Sequence, residues 1–269
     1  MITSLLTLRA SLAAVLAAGL LACLGTPRLA QAAPDAQRIL AASDAVRNPG
    51  RPFRVDITLV EFQQRQQVAS STLASYSRTL DEGGQFASLV RFVAPARDAG
   101  KLMLKNGNDM WFYDPDTKAS VRLSPQQRLL GQAANGDVVT VNLARDYKAE
   151  LAAEEDVTDG ERRTRRAHKL DLRPVVESAT YGRIDLWVAV DDHWPIKGLF
   201  YADSGRLLKT VYYRRFERHL GAMRPTELVI IDGLDPRSVT LMRLSDYAAM
   251  DIPVGWFQRD HLPRFQPER

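Results

Sequence analysis

Near the start of the chain the hydrophobic pattern changes period. From Ala36 to Val46, AQRILAASDAV places Ile39, Leu40, Ala42 and Val46 on one side of a helix, and Asn48-Pro49-Gly50 stops it. From Phe53 the period is two: Phe53, Val55, Ile57 and Leu59 face one way, and Arg54, Asp56 and Thr58 the other. Gln67–Leu80 and Gln85–Val93 continue as long strands across the turn Asp81-Glu82-Gly83-Gly84. The second half is again strand-rich, with strands predicted over Tyr147–Ala153, Arg162–Leu172, Tyr181–Val190, Ile196–Ala202, Leu207–Phe216, Met223–Asp232 and Ser238–Ala248. Asp159-Gly160, Asp191-Asp192, Asp203-Ser204-Gly205, Gly221 and Asp232-Gly233 separate them. Turn signals about every ten residues are the mark of an antiparallel sheet or barrel rather than βαβ units. The last stretch, Asp251–Phe265, has prolines at 253 and 263 and a Trp256-Phe257 pair, and reads as a tail laid over the core.

The densest local information lies in Gly100–Gly131. Asn106-Gly107 and Asp114-Pro115-Asp116 are turn signals that divide three short strands. Met110-Trp111-Phe112-Tyr113 carries more apolar surface than one face of a strand needs. Ser124-Pro125 then predicts a helix, with Ser124 as N-cap, Pro125 at its first position and Gln127 at capping-box spacing. A second helical turn is predicted over Asp137–Arg145. No Gly-, Ser- or Pro-rich linker and no internal repeat divides residues 33–269, so a single domain is expected.

The N-terminus changes the picture by implying a compartment. Ala10–Leu24 is an apolar run of the length of an export signal, and Ala30-Gln31-Ala32 is a small-residue cleavage site, so residues 1–32 read as a signal peptide and the mature protein as periplasmic. Leu20-Leu21-Ala22-Cys23 is a partial lipobox, which leaves an anchored lipoprotein as the alternative. Cys23 is the only cysteine, so the mature chain holds neither a disulfide nor a thiol nucleophile. Of the 36 basic residues, Arg9 and Arg28 leave with the signal; 34 remain against 32 acidic residues, a balance of +2 that gives no support to nucleic-acid binding.

Candidate chemistry is sparse. His168, His193, His219 and His261 share no metal-ligand spacing, no G-x-S-x-G elbow is present, and Asp114 and Asp116 flank a proline in a turn that keeps them in water. No catalytic residue, metal site or cofactor is assigned, and an enzyme is not expected. Arg162-Arg163-Thr164-Arg165-Arg166 is the sharpest charge feature; it reads as a solvated strand end or as a docking site for an acidic partner or lipid headgroups. On Tyr181–Val190, Trp187 projects opposite to Ile184, Leu186 and Val188, so both faces of that strand carry apolar groups.

Lys101, Leu104-Lys105, Met110-Trp111, Tyr113, Pro115, Thr117-Lys118, Arg122, Ser124-Pro125 and Gln127-Arg128 together resemble a recurring block of the outer-membrane lipoprotein-sorting (LolA-like) family. The match is specific at this block and diffuse elsewhere, from about Ile39 onward. The resemblance implies an α+β, mainly antiparallel fold: a strongly curved, incomplete β-barrel of about 11–12 strands around two or three helices, with an apolar cavity between them. It implies a monomeric periplasmic carrier of lipid or lipoprotein acyl chains, with an inner-membrane transporter and an outer-membrane acceptor as partners. The same fold class includes a regulator that binds an anti-sigma factor, so an envelope sensor that binds a protein partner is the alternative. The family transfers no ligand residues here. Alternation alone gives Phe53, Val55, Ile57, Met103, Trp111, Leu186 and Val188 as cavity candidates, and the Ser124 helix with the loop Gly131–Asp137 as a lid.

Overall fold

The computed structural model describes residues 35–79 and 84–266. The signal segment 1–32, Cys23 and most of the turn Asp81–Gly84 lie outside the described residues. The predicted N-terminal helix is α1, Ala36–Arg47. Asp35 caps it, its Oδ1 accepting from the backbone N–H groups of Gln37 (3.0 Å) and Arg38 (3.2 Å). At the other end, Arg224 donates to the carbonyls of Ala45 (3.1 Å) and Val46 (2.9 Å), placing a cation where the helix dipole is negative.

Thirteen strands form one antiparallel sheet. In chain order they are β1 Phe53–Gln63, β2 Gln66–Thr79, β3 Phe86–Ala94, β4 Leu102–Asn106, β5 Asp109–Asp114 and β6 Ala119–Arg122. A separate ribbon follows, β7 Arg128–Leu130 with β8 Ala133–Ala134. Then come β9 Tyr147–Thr158, β10 Thr164–Pro174, β11 Arg183–Ala189, β12 Pro195–Tyr201, β13 Leu207–His219, β14 Ala222–Asp232 and β15 Ser238–Ala249. The sheet order is β6-β5-β4-β3-β2-β1-β15-β14-β13-β12-β11-β10-β9. The chain therefore starts mid-sheet, walks out to the β6 edge, crosses to the β9 edge and walks back until β15 pairs with β1, Phe53 opposite Ala249 and Gln63 opposite Ser238.

The sheet is curved and not closed, with β6 and β9 as its edges. Thirteen strands make it, rather than the 11–12 that the family resemblance implies; β6, the third short strand predicted in Gly100–Gly131, forms one edge. Curvature is visible in the core: Met103 on β4 and Leu170 on β10 belong to one buried cluster although their strands stand near opposite ends of the sheet order. Inside the sheet lie α1, the β7–β8 ribbon, the inner loop 138–142 and a one-turn helix, α2, Leu143–Asp146. Gln37 ties α1 to this layer, donating to the Ala144 (2.8 Å) and Tyr147 (3.1 Å) carbonyls and accepting from Ala149 N–H (2.9 Å).

The outer face of β2–β5 is covered by the tail, as the sequence predicts. Trp256, Phe257, Leu262 and Ile252 are buried against Tyr76, Leu89, Leu102 and Leu104, and Arg78 donates to the Ile252 carbonyl at 2.6 Å.

The predicted helix at Ser124 does not form. Ser124 Oγ accepts from Gln126 N–H (3.3 Å) and its carbonyl from Gln127 N–H (3.2 Å), giving a single turn. The next carbonyls are then claimed from a distance: Gly136 N–H donates to Pro125 O and Asn135 N–H to Gln127 O, both at 2.9 Å. A capping signal specifies a first turn; the β7–β8 ribbon outcompetes its continuation. The helical turn predicted over Asp137–Arg145 is resolved into a 3-10 turn at Asn135–Asp137, extended chain, and α2.

Candidate functional site

A cavity of about 140 Å3 lies between the inner face of the sheet and the layer formed by the end of α1, the inner loop and α2. This is close to the roughly 150 Å3 of an engineered apolar cavity that takes up one benzene. One wall is aliphatic and aromatic: Phe53, Val55 and Ile57 of β1, Val211 of β13, Leu228 and Ile230 of β14, and Met242 and Leu244 of β15. Strand alternation places all of them inward, and their adjacency follows from the β1–β15 and β14–β15 registers, in which Ile57 faces Leu244 and Leu228 faces Met242. Val138, Val139, Val141 and Leu143 cover it from the inner loop and α2. Leu228, Leu244 and Tyr247 on this wall are half-exposed, as are Asn48, Thr140 and Val141 on the other side, and these residues form the rim.

A second wall is polar and buried. Asp137 Oδ2 accepts from Ala134 N–H (2.7 Å) and pairs with the Lys209 ammonium, while its Oδ1 accepts from the Tyr181 hydroxyl at 2.6 Å. Tyr147 closes the group: its hydroxyl donates to the Tyr181 carbonyl (3.1 Å) and accepts from Tyr181 N–H (3.0 Å). Burial depresses the Lys209 pKa, opposed by Asp137, and raises that of Tyr181 well above the ordinary phenol value, with Asp137 adding to the rise. Asp137 is thus occupied by three donors and acts as a strut. At the near end of α1, Arg47 pairs with Asp44 and donates to the Val141 carbonyl at 3.2 Å. Burial works against its charge, and Asp44 together with Tyr213 more than offsets this, so its pKa is raised.

The residues singled out by alternation fall into three places. Phe53, Val55 and Ile57 line the cavity. Met103, Leu186 and Val188 point inward but sit in the packed core outside the cavity lining. Trp111 is on the outer face: it packs at the tail beside an open groove of about 360 Å3, with the Arg259 guanidinium 4.1 Å above its ring. The β4–β5 register puts Trp111 opposite Leu104, whose face the tail covers, so period-two reading could not tell which of two apolar faces is inner. In place of the helical part of the predicted lid stands the β7–β8 ribbon; Gly136 and Asp137 of its predicted loop line the cavity, and Val138–Leu143 beyond them cover it. The second apolar face of β11 is likewise accounted for: Trp187 is buried with Ala167, Ala189 and Ile196, donates to Glu155 at 2.7 Å, and lies between the ammonium groups of Lys169 and Lys197.

The arginine run is largely neutralised within the molecule. Arg163 pairs with Asp159 (3.1 Å) and Glu161 (3.2 Å), Arg165 with Asp191 (2.7 Å) and Asp192 (2.8 Å), and Arg166 with Glu154 (2.9 Å). Arg162 sits exposed in the β9–β10 turn at φ 64. Pairing along the hairpin and with the neighbouring turn explains what a linear charge run cannot show. Sequence reasoning missed the Asp137–Lys209–Tyr181 group, because its members are 72 and 44 residues apart and none belongs to a motif.

A family model described as "Uncharacterized protein" matches residues 84–264. No curated protein matches the chain. Among solved structures, a LolA superfamily protein from Nitrosomonas europaea is 33% identical, with 85% of this chain and all of that chain covered and a TM-score of 0.76. A putative outer membrane lipoprotein-sorting protein domain from Vibrio parahaemolyticus shares the fold at 17% identity, covering 85% of this chain and 98% of its own, with a TM-score of 0.71. A DUF1329 family protein from Desulfovibrio piger does so at 20% identity, covering 84% and 97%, with a TM-score of 0.70. A third of the residues being shared with the first of these over its full length, the chain belongs to the LolA superfamily.

Proposed function

We propose that this protein is a periplasmic carrier that binds lipid or lipoprotein acyl chains in the inner cavity for transfer toward the outer membrane. The observation that carries the reading is the cavity itself: an aliphatic wall from β1, β13, β14 and β15, with half-exposed Leu228, Leu244 and Tyr247 at its rim. Superfamily membership supports it, as does the Asp137 carboxylate, which three donors hold as a structural group rather than a free base. Micromolar affinity requires about −8 kcal/mol. At roughly 0.8 kcal/mol per buried methylene, that is about ten methylenes before any ordering cost. A cavity of this size takes up roughly a benzene-sized part of a chain, so the remaining methylenes would lie along its apolar rim. A donor in the inner membrane and an acceptor in the outer membrane complete the route.

The test is extraction of lipids from the purified mature protein and their identification by mass spectrometry, with displacement of N-phenyl-1-naphthylamine as the solution assay. Bound acyl lipids and saturable displacement are expected. A protein that excludes both the probe and lipids while retaining a stoichiometric envelope protein would instead be a sensor of the same fold.

A further inference from the structure

Ion pairs around β9–β12 share one ratio, two carboxylates to each guanidinium. Arg163 meets Asp159 and Glu161, Arg165 meets Asp191 and Asp192, Arg166 meets Glu154 and Asp156, and Arg183 meets Asp171 and Asp185. At Glu227 the ratio is inverted. This glutamate is 2% exposed, and three arginines converge on its carboxylate. Arg214 Nε stands 2.9 Å and Arg215 Nε 3.4 Å from Oε1, and Arg243 Nε donates to Oε2 at 3.0 Å. The register fixes the meeting: Arg214, Glu227 and Arg243 stand opposite one another on β13, β14 and β15. Their chain neighbours Tyr213, Leu228 and Met242 line the cavity, so alternation puts the cluster on the outer face. Glu161 also approaches, accepting from the Arg215 backbone N–H at 3.1 Å, but its carboxylate is paired with Arg163.

Three charges against one leave the cluster with a balance of +2, and like charges held this close repel unless an anion joins them. Each arginine approaches Glu227 through Nε, at the stem of its guanidinium. The terminal N–H groups lie farther out, and Arg215 and Arg243 are exposed. Such forks grip oxyanions, phosphate above all, through paired hydrogen bonds.

The surface beside the cluster is apolar. The next row of the same face runs Tyr212, Val229, Leu241, Val60, and the row after it holds Ile231, Val239 and Phe62. Except for Val60, which is buried, these side chains are half-exposed, since the tail packs on β2–β5 instead. Lys197, opposite Tyr212 on β12, adds a cation 5.8 Å from the centre of that ring. β13, β14, β15 and β1 are each paired on both sides, so an extended peptide finds no open edge here. An apolar face bordered by cations, with a tyrosine and a lysine side by side, suits the headgroup level of a bilayer.

We propose that this outer face rests on an anionic phospholipid surface, with Arg214, Arg215 and Arg243, positioned by Glu227, gripping headgroup phosphate while the apolar rows lie against the lipid beneath. The face is opposite the cavity, and the proposal stands apart from the carrier reading.

The test is cosedimentation of the protein with vesicles of phosphatidylcholine alone and of phosphatidylcholine mixed with phosphatidylglycerol. Binding to the mixed vesicles is expected to be about tenfold tighter or more, and to weaken as salt is raised. Arg215→Gln and Arg243→Gln should each cut it about fivefold, the worth of one basic residue at an anionic surface. Arg243→Lys keeps the charge but loses the fork and should also bind more weakly. Arg97→Gln, in the exposed turn between β3 and β4, should bind as the unmodified protein does. Affinity for N-phenyl-1-naphthylamine should be unchanged in all four variants, which separates this face from the cavity. Equal binding to the two vesicle types overturns the proposal. So does an Arg97→Gln loss as large as that of Arg243→Gln, which would show diffuse attraction, or capture of an acidic protein through these arginines without vesicle binding. Either failure leaves the carrier reading standing.

Discussion

Lys209 Nζ is paired with the Asp137 carboxylate inside the fold, the lysine 3% exposed and its ammonium 4.9 Å from the centre of the Tyr181 ring. The pair joins the sheet to the segment that enters the inner loop: Lys209 is on β13, and Asp137 ends the 3-10 turn after β8. An ammonium in such a place tolerates loss of its partner poorly. Asp137→Ala is expected to destabilise the protein by about 3–5 kcal/mol, and the double variant Asp137→Ala/Lys209→Met by less, because the unpaired buried charge is then gone. Urea denaturation of the two variants checks the order; equal losses would show that the pair's burial is not what matters.

The tyrosines that line the cavity predict a loss of stability at high pH. Burial raises the pKa of Tyr147 and Tyr181 above the ordinary value of 10.0 and pushes Tyr247 up to about 12. In the unfolded chain these phenols ionise near pH 10, while the fold keeps them protonated, so the folded state binds more protons and stability falls as pH rises. Their contribution is complete below pH 10 and disappears between pH 10 and about 12 for Tyr247. Lys209 acts oppositely below pH 10.5, since its depressed pKa makes the folded state bind fewer protons. Thermal melts from pH 8 to 11.5 should show a falling midpoint above pH 10, and Tyr247→Phe should reduce the slope.

The mouth offers a way to block binding without damaging the core. Leu228 and Leu244 are half-exposed at the cavity rim. A tryptophan at either position adds bulk where solvent now stands, so the folded state loses little. Leu244→Trp is expected to weaken probe binding at least tenfold with a change in Tm of only a few degrees. Unchanged affinity would place the entrance elsewhere.

The tail is structural. Phe257 is 1% exposed and Trp256 stands 5.5 Å from the Tyr76 ring in an edge-to-face arrangement. Phe257→Ala should cost about 3–5 kcal/mol by denaturant titration. Because the tail covers the face away from the cavity, probe affinity should be retained in the folded fraction.

Gly131 is where the ribbon touches the sheet. It adopts φ +53, and an added Cβ would stand 2.3 Å from Thr240 Oγ1. Thr240 in turn accepts from Gln132 N–H at 2.8 Å. Gly131→Ala is expected to cost more than about 1 kcal/mol and to loosen the ribbon, seen as faster amide exchange at Gln132. Exchange as slow as in the unmodified chain would mean that the ribbon is held by β7–β8 pairing alone.

Much of the fold is written locally. Alternation at Phe53, Val55, Ile57 and Leu59, the turn residues between strands, and the helical spacing of Ile39 and Leu40 each follow from a few neighbouring side chains, so the strands of the second half and α1 were legible. The LolA-like block carried the fold class for the same reason: its turns and strands are contiguous. What depends on distant pairing was not legible. Ser124-Pro125 encodes a first helical turn, yet whether that turn grows is decided by Asn135 and Gly136, which bond back to Gln127 and Pro125. Trp111 and Met103 lie on strands apolar on both faces, and only the position of the tail tells outer from inner. Most of the arginines of the 162–166 run found carboxylates across a hairpin and in a neighbouring turn. By itself, then, the sequence determined an antiparallel β protein with a single cysteine and apolar surface on both faces of its sheet. The tertiary structure decided which face encloses the cavity and brought Asp137 to Lys209 and Tyr181, because curvature and cross-sheet contacts are set by residues that chain order keeps far apart.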